Sequence, residues 1–245
     1  MSMNARKRAD GTIRRWALLM VAAGALMLPA CGSGGGGGGA TPTTPTTTTN
    51  HNPTITASSV TPSFGVSGLT VFTMNASATD SDGDALTYRW SYGGNSYSGA
   101  STSTTMVGDG AISVQLTVTD SKGGTATDSR NVTMGTMTGS WNANMPYCSP
   151  NPVGLQMTLT QTGGTVTGTF LAPVPFCNGS AGQTGKTDPA EPGTIDAAGN
   201  LNIRLKIGNF IDFYIRGKMD STGRRIDGGA FNSGFSGQTL TMTKQ

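Results

Sequence analysis

The sequence predicts an all-β protein, with a β-sandwich followed by an antiparallel meander that closes as a small barrel. Three observations predict it. Apolar residues recur at every second position through most of the chain, which is the side-chain period of a strand. Charged residues make up only 12% of the 245 residues, while Gly, Ser and Thr abound, a composition that suits strands and turns better than helices. Glycine-bearing turns such as Ser121-Lys122-Gly123-Gly124 and Gly163-Gly164 separate the alternating runs at short intervals.

Residues 1–31 read as an export signal. Five of the sixteen basic residues and one of the thirteen acids lie before Trp16, which leaves 11 basic and 12 acidic residues beyond it. An apolar run from Trp16 to Leu28 follows, of signal-peptide length and short for a bilayer span. It ends Leu28-Pro29-Ala30-Cys31. This resembles the lipobox of bacterial lipoproteins, apart from the proline at its second position. The resemblance implies that Cys31 carries lipid and is the first mature residue. Gly32 stands where an aspartate would mark inner-membrane retention, so the resemblance implies the outer membrane. The alternative is an ordinary secretory signal cut after Ala30, leaving a free thiol. With Cys31 lipidated, Cys148 and Cys177 remain as an even pair in an oxidising compartment. A disulfide closing that loop would contribute roughly 3–4 kcal/mol by chain-entropy arithmetic.

Residues 32–53 cannot build a core. A glycine run, Gly34 to Gly39, precedes a Thr/Pro stretch, and the whole reads as a disordered linker. It would reach roughly 25 Å as a coil and at most about 70 Å extended. The only histidine, His51, falls within it.

Residues 54–135 form the sandwich. Strands are expected at Thr54–Ser59, Thr70–Ala78, Ala85–Tyr92, Ser101–Val107, Ala111–Asp120 and Thr125–Met134. In the second, Phe72, Met74, Ala76 and Ala78 share one face. In the third, Leu86, Tyr88 and Trp90 do so, and in the fifth, Ile112, Val114, Leu116 and Val118. No cysteine lies here, so Trp90 and its apolar neighbours must hold an immunoglobulin-like sandwich together. The run from Asn52-Pro53 through Ala78-Thr79-Asp80-Ser81-Asp82-Gly83-Asp84, Leu86-Thr87-Tyr88-Arg89-Trp90 and Leu116-Thr117-Val118-Thr119-Asp120-Ser121-Lys122-Gly123-Gly124 to Val132 resembles a PKD-type repeat, which has cadherin-like relatives. The family commonly continues after its tryptophan with Asp-Phe-Gly-Asp-Gly. This chain has Ser91-Tyr92-Gly93-Gly94-Asn95 there.

Residues 136–245 give about eight strands in meander order, starting near Trp141. Leu155, Met157 and Leu159 alternate, as do Val166, Gly168 and Phe170, and Leu201, Ile203, Leu205 and Ile207. Ile211, Phe213 and Ile215 oppose Asp212, Tyr214 and Arg216. An up-and-down barrel would remove the exposed edges. The pattern resembles the small lipocalin-like barrels of secreted bacterial proteins. The stretch Ala172–Pro192, rich in proline, reads as a long loop pinned by the disulfide.

Asp80, Asp82 and Asp84 crowd three carboxylates around Gly83, with Asp120 expected at the same end of the sandwich. Such oxygen ligands suit calcium. An EF-hand is excluded, because Ala85 and Ser91 stand at its sixth and twelfth positions. The alternative is that the aspartates cap turns by accepting backbone N–H bonds. No cofactor is required otherwise. Enzymatic readings are weak. Neither domain holds a histidine base, and a carboxylate pair of Asp212 and Asp227 more simply faces solvent. Arg224-Arg225 reads as a solvated turn, with contact to an anion as the alternative. Tyr92, Tyr97 and Trp141 would either stack on sugars or pack. No basic patch suggests nucleic acid. The expected function is a non-enzymatic, membrane-tethered adhesion or interaction module that contacts extracellular protein or glycan. The alternative is a carrier holding a small apolar ligand in a hollow barrel. Bulky inward residues at every level would exclude that, and Gly168, Gly217 and Gly229 keep it open.

Overall fold

A computed structural model of the chain describes residues 49–145, 153–172, 183–207, 210–232 and 235–245. Cys31, Cys148 and Cys177 lie outside them. The described residues contain strands and turns and no helix, as predicted.

Eight strands build the sandwich: β1 (Thr54–Thr61), β2 (Phe64–Val66), β3 (Val71–Thr79), β4 (Leu86–Tyr92), β5 (Asn95–Ser98), β6 (Ser101–Thr105), β7 (Gly110–Asp120) and β8 (Thr125–Gly135). One sheet runs β1-β3-β6 and the other β2-β8-β7-β4-β5. The pairs are antiparallel except β2–β8. The expected faces are the buried ones. Phe72, Met74, Trp90, Val114, Leu116 and Val118 meet in one cluster. Trp90 is fully buried and its indole N–H donates to Gly99 O at 3.2 Å, so the large ring is packed and its polar atom satisfied. Strand β5 is an addition to the expected set. Gly93 and Gly94 both have positive φ, 51° and 82°, as a two-residue hairpin turn needs, and Asn95–Ser98 folds back on β4.

The barrel comprises β9 (Gly139–Met145), β10 (Val153–Thr162), β11 (Thr165–Ala172), β12 (Gln183–Thr187), β13 (Gly193–Ile195), β14 (Asn200–Ile207), β15 (Phe210–Met219), β16 (Arg225–Asn232) and β17 (Phe235–Lys244). Each pairs antiparallel with its neighbours, and β17 returns to β9, with Lys244 opposite Trp141. The short strands β12 and β13 share one place between β11 and β14, so the closed barrel has eight positions. Strand β12 lies inside the stretch expected to be a loop. Its Thr-Gly-Lys-Thr sequence carries no apolar alternation, and pairing with both neighbours defines it instead.

Inward residues are bulky around the ring. Trp141, Leu155, Met157, Leu159, Phe170, Ile203, Leu205, Ile215, Ile226, Leu240 and Met242 are all at most 4% exposed and belong to one cluster. Inward glycines are covered by neighbours. A Cβ on Gly185 would fall on the Phe170 ring, and one on Gly217 would stand 2.6 Å from Ile226 Cγ2. Gly229 is not inward. It lies between buried Ala230 and Gly228, on the face of exposed Asp227.

The segment joining β2 to β3 belongs to the sandwich in sequence but packs on the barrel. Val66 is fully buried in the barrel cluster, with Phe64 and Leu69 against it. Thr70 Oγ1 accepts from Val66 N at 2.8 Å and donates to Ala197 O at 2.8 Å. Gln161 Nε2 donates to Ser67 O at 3.1 Å, while its Oε1 accepts from Met137 N at 2.9 Å. Lys244 Nζ, nearly buried, bonds Asp109 at 2.8 Å and Thr136 O at 3.0 Å. Residues from Thr48 onward accordingly form one compact unit. Val66→Ala should destabilise by about 2 kcal/mol, from lost burial and the cavity left. In a urea melt of the chain without its first 31 residues, one transition should move as a whole. Two separate transitions, with only the first shifted, would show that the joint does not couple sandwich and barrel.

Candidate functional site

The acidic end of the sandwich is built by three chain segments. Asp80 follows β3, Asp82 and Asp84 lie in the turn before β4, and Asp120 ends β7. Asp80 Oδ1 accepts the N–H groups of Asp82 at 2.9 Å and Asp84 at 3.2 Å, and Gly83 supplies a φ of 77°. Asp120 Oδ1 does the same for Lys122 and Gly124, both at 2.8 Å. One oxygen of each of these aspartates therefore caps a turn. The other oxygens behave differently. One carboxylate oxygen from each of Asp80, Asp82 and Asp84 falls within 4.8 Å of the others. Asp80 Oδ2 is buried and has no hydrogen-bond partner among the described residues.

Asp120 sits beside this trio. It is 5% exposed, and burial works to raise its pKa. Hydrogen bonds from Asn50 and from the backbone at Lys122, Gly124 and Gly123 outweigh that and hold it below the ordinary carboxylate value. Asn50 Nδ2 reaches Asp120 Oδ2 at 3.0 Å. A Cβ on Gly124 would stand 2.9 Å from Asn52 Oδ1 and would fall on Asp120 Oδ2, so only glycine leaves room for this packing. His51 lies on the same cluster. Its N–H donates to Asp82 Oδ2 at 2.7 Å and its Nδ1 stands 2.9 Å from Asp82 Oδ1. These two bonds, the backbone one first, hold Asp82 below its ordinary value. Sequence reasoning left Asn50, His51 and Asn52 in the linker, because they carry no apolar pattern.

A second feature lies on the outside of the barrel. A groove of about 860 Å³ crosses the outer face of β9, β10, β11, β12 and β14. Its outward-facing side chains are Ser140, Asn142, Gln156, Thr158, Thr169, Leu171, Thr184, Lys186 and Lys206. Register aligns them in rows. Ser140 pairs Thr158, which pairs Thr169, which pairs Lys186, which pairs Lys206. Behind Lys206 is an ion cluster. Asp188, 1% exposed, lies 2.9 Å from Lys206 Nζ and 3.3 Å from Arg204 Nη1, and Arg204 also bonds Glu191 at 2.6 Å. The Ala190 N–H first, then Lys206, hold the Asp188 carboxyl below its ordinary value. Alternation in the sequence marks these residues only as outward, so the groove was not expected.

The aromatic candidates are packing residues. Trp141 is fully buried and donates to Met137 O at 2.9 Å. Tyr92 is 8% exposed, stacks on Tyr97 at 5.8 Å and donates to Thr105 O. Burial pushes its hydroxyl up to about 12. Asp212 and Asp227 do not form a pair. Asp212 is opposite Lys206, whereas Asp227 is opposite Lys218, six residues farther along β15 and about 20 Å away. Asp227 is instead bound by Arg225 at 2.7 Å.

Residues 50–134 match the family model of the PKD domain. The PKD domain thus takes in Asn50, His51 and Asn52 as well as β1 to β8, with the acidic end inside it and the barrel beyond it. No curated protein matches the chain. Among solved structures, the chain is similar to carbohydrate-binding modules of the beta-sandwich superfamily, described for their promiscuous specificity. Identity is 15%, the TM-score 0.34, and the likeness covers 80% of this chain and 86% of that one. It is also similar to SGBP-B of the Bacteroides ovatus mixed-linkage glucan utilization locus, in complex with a mixed-linkage heptasaccharide. Identity is 10%, the TM-score 0.29, and 80% of this chain and 62% of that one are covered.

Proposed function

We propose that the chain is a non-enzymatic interaction module that contacts glycans through the outer groove of the barrel, presented on a stalk by the PKD domain. The groove carries this reading. Its outward side chains are hydroxyls, carboxamides and two ammonium groups around Leu171. These are donors and acceptors spaced along a shallow surface, as a hydroxyl-rich polymer needs. Among the described residues, the groove's lining holds no carboxylate, cysteine or histidine to act as base or nucleophile, which favours binding over hydrolysis. The carrier reading needs an open interior, and the bulky inward cluster opposes it. A polysaccharide panel, neutral and acidic, run in affinity gels against the chain without its first 31 residues should retard it. Gln156→Ala with Thr158→Ala should weaken that retardation by about tenfold, the worth of one or two hydrogen bonds. Unretarded migration with every polysaccharide would overturn the glycan reading.

The acidic end is proposed to take calcium. Asp80, Asp82 and Asp84 supply a hard oxygen set, and Asp80 Oδ2 is buried with no hydrogen-bond partner among the described residues, a position that a cation would satisfy. Calcium at about 100 times its dissociation constant should add roughly 2.7 kcal/mol to stability. Asp80→Asn keeps the turn-capping oxygen and should lose that gain. Superimposable melts in calcium and in chelator would leave the aspartates as turn caps alone.

The tether follows from Leu28-Pro29-Ala30-Cys31. Lipid on Cys31 would hold the module at a membrane, with the outer membrane favoured by Gly32. A fatty-acid analogue should label the wild type and not Cys31→Ser. Equal labelling of both would sink the anchor.

A further inference from the structure

We infer that the barrel groove selects anionic saccharides and binds their carboxylate or sulfate groups at Lys186 and Lys206. The inference rests on the glycan reading of the groove and names its ligand class.

Lys186 and Lys206 are directly opposite each other on adjacent strands. Like charges in that relation disfavour strand pairing. The arrangement also falls on a short strand, since β12 is five residues long and pairs with β14 only through Lys186 and Thr187. A sequence that needed only a stable barrel would gain from a neutral residue at position 186, since Lys206 already answers buried Asp188. The two lysines differ in how they are answered. Asp188 reaches Arg204 and Lys206, Glu191 reaches Arg204, and Asp212 is opposite Lys206 in register. Lys186 is exposed and has no ion-pair partner among the described residues. Its ammonium stands at the groove.

The cluster positions the neighbouring Lys206 ammonium. Asp188 is nearly inaccessible, so the Lys206 ammonium is held from behind by a fixed carboxylate at 2.9 Å. An ammonium has three donors, and Lys206 is 43% exposed, so donors remain for a ligand on its open side. Lys186 offers the same group across the strand pair. Two ammonium groups side by side match an acidic group on a sugar ring. The hydroxyls of Thr169, Thr158 and Ser140, in register with them, run away from the charged end and match the neutral hydroxyls of the following rings. The five strands span about 19 Å from β9 to β14, which favours an oligomer over a single sugar.

Affinity gels at low salt test this on the chain without its first 31 residues, using polygalacturonate for carboxylate, dextran sulfate for sulfate and dextran as the neutral polymer. The acidic polymers should retard the protein and dextran should not. Lys186→Met should weaken binding about tenfold, the loss of one charge-assisted contact. Lys218→Met, a lysine on the outer face of β15 away from the groove, should leave it unchanged. Raising salt should weaken the wild type more than Lys186→Met. Circular dichroism checks that both variants keep the strand spectrum, and Lys186→Glu gives a second, stronger variant of the same exposed site. Retardation by polygalacturonate alone or by dextran sulfate alone supports the inference and assigns the anionic group. Dextran binding as tightly as the acidic polymers, with Lys186→Met and Lys186→Glu unaffected, would overturn charge selection while leaving the glycan reading standing. No retardation by any of the three, nor by the wider neutral panel, would overturn both.

Discussion

The open end of the barrel is the constraint that organises the molecule. Strand pairing closes a barrel around its circumference but leaves its ends to be covered by something else. Here one end receives Val66 and Leu69, carried on a segment that the sandwich lends. The polar groups of that segment are answered from the barrel side, by Ala197 O for Thr70 and by Gln161 for Ser67 O. The apolar burial and the hydrogen bonds therefore act across the joint together. Gly135 and Gly223 come so close that a Cβ on Gly135 would stand 2.9 Å from Gly223 Cα. No side chain fits between sandwich and barrel there, which makes the joint a packed contact instead of a hinge.

A closed, filled barrel moves the chemistry outward. Phe170 lies over Gly185 and Ile226 over Gly217, so the interior has neighbours where its small residues would leave gaps. The outer face is then the surface left for polar chemistry. The place shared by β12 and β13 is where its ion cluster gathers. Two short strands joined by the segment that carries Asp188 and Glu191 put a buried carboxylate behind Lys206 and Arg204, which one long strand with polar alternation would not do. On the sandwich the same division holds. Trp90 and Phe72 secure the interior, and the aspartates at one end hold turns with one oxygen while another stays unanswered.

Much of the fold was legible because alternation reports a strand buried on one face. Phe72 and Met74, Val114 to Val118, Leu155 to Leu159 and Leu201 to Leu205 all lie on the faces that their spacing marks. The elements that escaped have no such signal. Strand β2 is three residues of a plug, β5 is Asn-Ser-Tyr-Ser held by a glycine hairpin, and β12 pairs without burying a large side chain. The site was partly legible. Three aspartates around a glycine declare themselves in sequence, and they do converge. Asn50 and His51 were lost to the linker because hydrogen bonding to distant carboxylates leaves no periodic trace. Lys186 and Lys206 were lost for a related reason. They are 20 positions apart and meet only through the pairing of β12 with β14, which the sequence does not state.

Pairing of β17 with β9 sets the order in which this protein can become complete. Lys244 must find Trp141 across about a hundred residues, and the entropy of closing such a loop is paid before any contact in it helps. Each other barrel seam joins strands that follow closely in the chain. A chain emerging from its N-terminal side can pair the PKD strands at once, whereas the barrel stays an open sheet until its last strand arrives. During that interval β9 and β16 present bare edges, and the groove strands are already formed beside one of them. The β9 edge is therefore covered last, after the sandwich can already be complete.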